Sequence, residues 1–138
     1  MEDRYLFKGK RIDNGEWVQG ALFNGESHCI IGQEIKFSPY TEHECKIVGY
    51  EVDRDTICQC TGLKDKNGKL IWENDIVRDE HGNFYKAFWQ NNYYQFSWVC
   101  VKTDVFLIGT KWDLWSIKSF EIEVIGNKFD TPELLEVE

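Results

Sequence analysis

Three pairs of residues in this sequence have the chemistry of metal ligands: His28-Cys29, His43-x-Cys45 and Cys58-x-Cys60. Thiolate and imidazole are the ordinary ligands of a tetrahedral zinc ion. Side chains at i and i+2 of a strand point to the same side, so Cys58 and Cys60 could face one ion, with His43 and Cys45 as the remaining candidates. The gaps between the pairs match no familiar finger or ribbon spacing. The competing role for such cysteines is that of small buried hydrophobes.

Carboxylates offer a second chemistry. Glu73 and Asp75 read as sharing a strand face, and Asp79 and Glu80 follow them. Paired acids suit glycoside or phosphodiester hydrolysis only where they are enclosed, and no cleft is legible here. In a chain with 24 acidic residues such pairs arise by chance, and the plain expectation is exposed turn carboxylates. Phosphate-binding and dinucleotide glycine patterns are absent, as are His-Glu-x-x-His and Gly-x-Ser-x-Gly. A nucleophile and base that meet only in space are not visible in sequence, and with 3 histidines the choices are few. We therefore expect no catalytic residues and no cofactor, and an enzyme is the lesser reading.

Binding is the third possibility. Aromatic residues make up 15% of the chain, with 6 Trp, 6 Tyr and 9 Phe. Most should serve core and cross-strand packing. Trp89, Tyr93, Tyr94 and Trp98 are candidates for exposed stacking on bases or sugars, with Lys86 and Lys102 as neighbouring cations. The formal net charge of −8 opposes a groove that tracks phosphates. The short basic groups Lys8, Lys10, Arg11 and Lys64, Lys66, Lys69 read as solvated turns. No run of about 18 apolar residues is present, which excludes a membrane-spanning helix. The charged opening Met1-Glu2-Asp3-Arg4 is unlike a signal segment. The expected location is the cytoplasm, where the five cysteines stay reduced.

The elements that would position these residues are strands and turns. Two apolar runs flank Asp65-Lys66-Asn67-Gly68, and Asn67-Gly68 predicts a type I′ hairpin turn with two left-handed residues. Turns of the same chemistry recur at Asp13-Asn14-Gly15, Asn24-Gly25, Asp79–Asn83 and Gln90-Asn91-Asn92. Between them, strands are predicted at 4–8, 16–23, 29–31, 46–52, 76–78, 84–89, 93–102 and 120–125, the first two forming a hairpin. Residues 34–37 are a further possible strand, broken by Ser38-Pro39-Tyr40-Thr41. Irregular alternation in 93–102 suggests a bulge near Trp98. Residues 111–118 suit either a helical turn or a strand. Thr131-Pro132-Glu133 reads as a capped helix start.

Short strands about every ten residues, with turn signals between, indicate antiparallel β structure rather than βαβ units. The fold class is mainly β: an N-terminal β-rich lobe over 1–55, then an SH3-like small barrel over 56–138 ending in a short helical turn. A single unit over 1–138 is the other organisation open to it.

Two stretches carry a family resemblance. The first runs Gln59-Cys60-Thr61-Gly62-Leu63-Lys64-Asp65-Lys66-Asn67-Gly68-Lys69 and continues through Ile71 and Glu73 to Asp75-Ile76-Val77. The second is Glu123-Val124-Ile125-Gly126-Asn127, continuing through Pro132-Glu133-Leu134-Leu135. With Phe7-Lys8-Gly9-Lys10 and Gly15–Gly20 at the start, the chain resembles the YopX family of bacteriophage and prophage proteins along its length. Cys60 and Asn74 depart from the family pattern, which often has an aromatic and a glycine there. The resemblance implies a phage or prophage origin, a β-rich fold and a short turn near 53–56, and it supplies no activity and no catalytic residues. The expected function is a non-enzymatic accessory module binding a protein partner in the bacterial cell. A nucleic-acid-binding small barrel is the alternative, and self-association into a homo-oligomer is a further expectation.

Overall fold

The structure is a computed structural model of the chain and describes residues 3–36 and 45–136, without the side chains of Lys36, Cys45 and Ser119. His43, Phe37 and the predicted breaker at 38–41 lie outside the described residues. The chain forms two compact units, Met1–Cys60 and Thr61–Glu138, each with its own core.

In the first unit, β1 (Phe7–Lys10), β2 (Trp17–Asn24), β3 (Cys29–Lys36) and β4 (Cys45–Val52) follow one another as an antiparallel meander. The start of β5 (Cys58–Lys64) pairs with the free side of β1, Phe7 opposite Gln59 and Lys8 opposite Cys58. Beyond the end of β1 the chain also meets the end of β4. Ile12 N–H donates to the Glu51 carbonyl, Asp53 N–H donates to that of Lys10, and Arg11 bridges Val52. This curls the sheet around a small core of Val18, Cys29, Ile31 and Val52. Alternation puts these residues on one face, while the other carries Glu34 and Glu51 together with the exposed Phe23 and Ile47. Predicted strand 29–31 is only the start of β3, which runs eight residues in full register with β4. Predicted strand 4–8 begins late, because Asp3–Tyr5 form a 3₁₀ turn. Arg54–Thr56 form another, capped by the Asp53 carboxylate on Asp55 N–H.

In the second unit, the end of β5 pairs with β6 (Leu70–Trp72). The main sheet holds β7 (Asp75–Arg78), β8 (Phe84–Gln90), β9 (Gln95–Lys102), β10 (Lys111–Asp113) and β11 (Glu123–Asn127) in the order β10-β9-β8-β7-β11. It is mainly antiparallel β as expected, but the sheet is open, and no strand pairing closes it into a barrel among the described residues. The reason lies at β10. After three residues Asp113 accepts the Ser116 N–H and starts the helical turn α1 (Leu114–Ile117), which carries the chain off the sheet edge. The ambiguous segment 111–118 is thus a strand and a helical turn in succession. The core joins Ile71, Val77, Tyr85, Ala87, Trp98, Cys100, Ile117 and Ile122. The indole N–H groups of Trp98 and its cross-strand partner Trp112 are buried with no hydrogen-bond partner among the described residues.

Several local expectations need correction. At Asp65–Gly68 only Gly68 is left-handed, at φ 82°, so the turn is not type I′. The Asp65 carboxylate accepts N–H from both Asn67 and Lys69, which fixes a turn with a single left-handed residue at its end. The bulge falls at Val101, not Trp98: Tyr85 faces Cys100 while Phe84 faces Lys102. β11 begins at Glu123 because Lys118–Phe120 form a 3₁₀ turn and Glu121 is left-handed. Thr131 does not cap the final turn Pro132–Leu135; its hydroxyl bonds back to the backbone of Asn127.

Asp79 repeats the device of Asp65. One oxygen accepts the His81 and Asn83 N–H groups, and the other accepts the Asn83 side-chain amide at 2.9 Å and the Tyr85 hydroxyl at 2.8 Å. In both aspartates burial pushes the carboxyl up, and the hydrogen bonds outweigh it, holding it below its ordinary range. A depressed folded value contributes stability above the ordinary carboxylate range that is lost as pH falls through it. Unfolding free energy should therefore decline below about pH 4. Asp79→Asn should cost about 1–3 kcal/mol at neutral pH and flatten that acid limb in urea unfolding followed at successive pH values.

Candidate functional site

The predicted stacking residues lie on the β8–β9 hairpin. Trp89 pairs across the strands with Phe96, Gln90 pairs with Gln95, and residues 91–94 turn the chain. Tyr93 and Tyr94 belong to that turn rather than to β9, and Tyr94 is left-handed at φ 52°. Alternation places Tyr85, Ala87 and Trp89 on one face, opposite Cys100, Trp98 and Phe96. The core therefore continues along this row until it reaches solvent at the tip. Trp89 is 40% exposed, Tyr93 68% and Tyr94 82%. Trp98, expected to be exposed, is fully buried and is a core residue. Sequence alternation alone does not distinguish a row's inner end from its outer end.

The cations expected beside these rings sit elsewhere. Lys86 lies within β8 opposite Val99, and Lys102 is at the base of the hairpin, where its Nζ lies 5.1 Å from the Phe84 ring. Burial and the nearby Lys128 hold Lys86 below the ordinary lysine range.

The second surface feature is a short apolar segment. Residues 103–110 form the loop from β9 to β10, and Val105, Phe106, Leu107 and Ile108 are all exposed, Leu107 to 84%. The loop is held at both ends. Thr103 Oγ1 donates to Asn83 Oδ1 at 2.6 Å and accepts the N–H groups of Val105 and Phe106. Asn83 is in turn bonded to Asp79, so a continuous polar chain runs from a buried carboxylate to the loop backbone. At the other end Thr110 donates its hydroxyl and its N–H to the Leu107 carbonyl, and the Phe106 ring packs edge-on against Trp112 at 5.3 Å. Trp115, 84% exposed, follows on α1.

Of the metal candidates Cys58, Cys60, His43 and Cys45, the first two are those whose side chains are described. Cys58 and Cys60 are buried on one side of β5, and the Cys58 thiol donates to the Thr56 carbonyl. Cys45 begins β4, and His43 lies outside the described residues. Among the described residues no three His, Cys, Asp or Glu side chains converge as ligands. The carboxylates differ from expectation too. Asp75 and Asp79 are buried, and Glu73 lies in the turn before β7 rather than on a strand face with Asp75. Asp75 accepts the Trp72 N–H and Asp79 accepts four bonds, so both act as turn locks. A depression of about 520 Å³ in the first unit is lined by Arg11, Glu51, Asp53 and Arg54 among others. Its arginines are engaged, Arg11 with Asp13 and Arg54 with Asn24 and the carbonyls of Gly25 and Glu26. Thr103→Val should leave the core intact, cost about 1 kcal/mol, and speed hydrogen exchange at the Val105 and Phe106 amides above all others.

Comparison with known proteins places this architecture. The family model described as YopX protein matches residues 6–136. A solved structure, protein EF1440 from Enterococcus faecalis, is 25% identical and aligns over 94% of this chain and 96% of its own, with a TM-score of 0.55. A search of curated proteins finds no match. No helix among the described residues is long and apolar enough to cross a membrane. With the match spanning nearly all of its length, the chain belongs to the YopX family.

Proposed function

We propose that the protein is a non-enzymatic accessory module, of phage or prophage type, that binds another protein through the loop Val105–Ile108. The observation that carries this reading is the pairing of exposure with rigidity. Four consecutive apolar side chains face solvent on a loop whose backbone is pinned by Thr103 and Thr110. Exposed apolar clusters mark contact surfaces, and a preorganised loop loses little entropy on binding. β10, the edge strand that follows, extends the same contact region. A second copy of the chain is the other occupant this surface would take. A nucleic-acid reading stands second. It rests on Lys8 and Lys10, whose Nζ atoms lie 4.6 and 5.4 Å from the Trp17 ring, and the net charge of −8 opposes it.

A photo-crosslinking residue at position 107 should join the protein to a discrete bacterial or phage protein in cells, and Leu107→Asp should abolish a copurified complex while leaving the circular dichroism unchanged. A crosslink to itself, with a dimer in solution, would assign the surface to self-association. A salt-dependent shift of a labelled oligonucleotide, lost in Lys8→Glu, would favour the second reading.

A further inference from the structure

The β8–β9 hairpin has a composition unlike the rest of the chain. From Ala87 to Val101 there are fifteen consecutive residues without a charge, in a protein that is 29% charged overall. At the tip the sequence is Trp89-Gln90-Asn91-Asn92-Tyr93-Tyr94-Gln95-Phe96, only aromatic rings and amides. A ligand for this surface needs flat apolar faces to stack on the rings and neutral polar groups to bond the amides. The tip segment itself offers a phosphate no cation: on the hairpin, Lys86 lies three residues before Trp89, opposite Val99, and Lys102 ends β9. Neutral carbohydrates combine hydroxyls with apolar C–H faces. We propose that the hairpin tip binds a neutral oligosaccharide, with Trp89, Tyr93 and Tyr94 stacking on sugar rings and Asn91 and Asn92 bonding hydroxyls.

Three features prepare the tip for that role. The Trp89 ring is held edge-on against Phe96, at 5.1 Å and 75°, which fixes its orientation while much of it stays exposed. Ser97 Oγ donates to Gln90 Oε1 at 2.7 Å and receives the Gln95 amide at 3.2 Å, tying the two strands together just below the turn. Tyr94 adopts a left-handed backbone that a glycine or asparagine would hold at lower cost. A bulky ring kept in that conformation, 82% exposed and outside the core, adds nothing to stability that its contacts reveal. This surface is distinct from the loop proposed to hold a protein, and neither assignment depends on the other.

The test uses the full chain titrated with cellohexaose, chitohexaose and maltoheptaose, read by tryptophan fluorescence and by amide chemical shifts. The expected result is saturable binding of at least one of them, insensitive to salt, with shifts concentrated at 89–96. Tyr94→Gly should unfold at the same or higher urea concentration than the parent, because it relieves the left-handed backbone, yet bind about tenfold more weakly. Trp89→Ala should weaken binding by a similar factor. Absence of saturable binding to all three sugars would overturn the proposal. So would shifts elsewhere than the tip, unchanged affinity in Tyr94→Gly, or a tip that responds only to an oligonucleotide or to a protein partner.

Discussion

A buried carboxylate that closes its own turn is the interaction on which the second unit depends. Asp65 and Asp79 each open a turn of the form Asp-x-x-Gly, and each accepts two backbone N–H groups with one oxygen. The other oxygen reaches beyond the turn. For Asp65 it accepts the Val124 N–H from β11, far along the chain, and for Asp79 it accepts Asn83 and Tyr85. Each aspartate therefore fixes a local turn and a tertiary contact at once. A charged group this buried is tolerable because hydrogen bonds reach both of its oxygens. The glycine that follows, left-handed at 82° or 83°, lets the chain leave the turn in register.

From Asp79 the same constraint passes outward through Asn83 and Thr103 to the apolar loop. The exposed apolar loop is thus anchored to a buried carboxylate. The first unit is organised differently. Its small core is enclosed by strand curvature, with β4 folding back on the end of β1, while Arg11 and Arg54 bond neighbouring loop residues.

Much of this was legible in the sequence, and the exceptions share a cause. Glycine-containing turns located the corners correctly, and at Gly15, Gly68 and Gly82 the reason is a left-handed residue, which is a local requirement. Strands β2, β4, β7 and β8 followed from alternation between those corners. Asn74, where the family often has glycine, is left-handed at φ 70°, which explains that preference. The turn type at Asn67 was misread because a side chain, not the backbone dipeptide, sets it. The burial of Asp75, Asp79 and Trp98 was invisible, since each depends on partners brought by other strands. The recurrence of Asp-x-x-Gly at 65–68 and 79–82 was the one local signal that could have flagged the aspartates. Of the binding candidates, Trp89, Tyr93 and Tyr94 lie at the surface as expected, while nothing local in the apolar segment 105–108 marks it as an exposed loop.

The uncharged stretch from Ala87 to Val101 has a cost outside the native state. It contains no proline and no glycine, and it is rich in aromatic and β-branched residues. Such segments pair readily with copies of themselves when released from a fold. Lys86 and Lys102 bracket it at either end and act as gatekeepers, and the acidic surplus of the whole chain keeps unfolded molecules apart. Survival of the unfolded chain, during synthesis or after heating, thus rests on two lysines and on mutual repulsion, and it fails first where salt screens them.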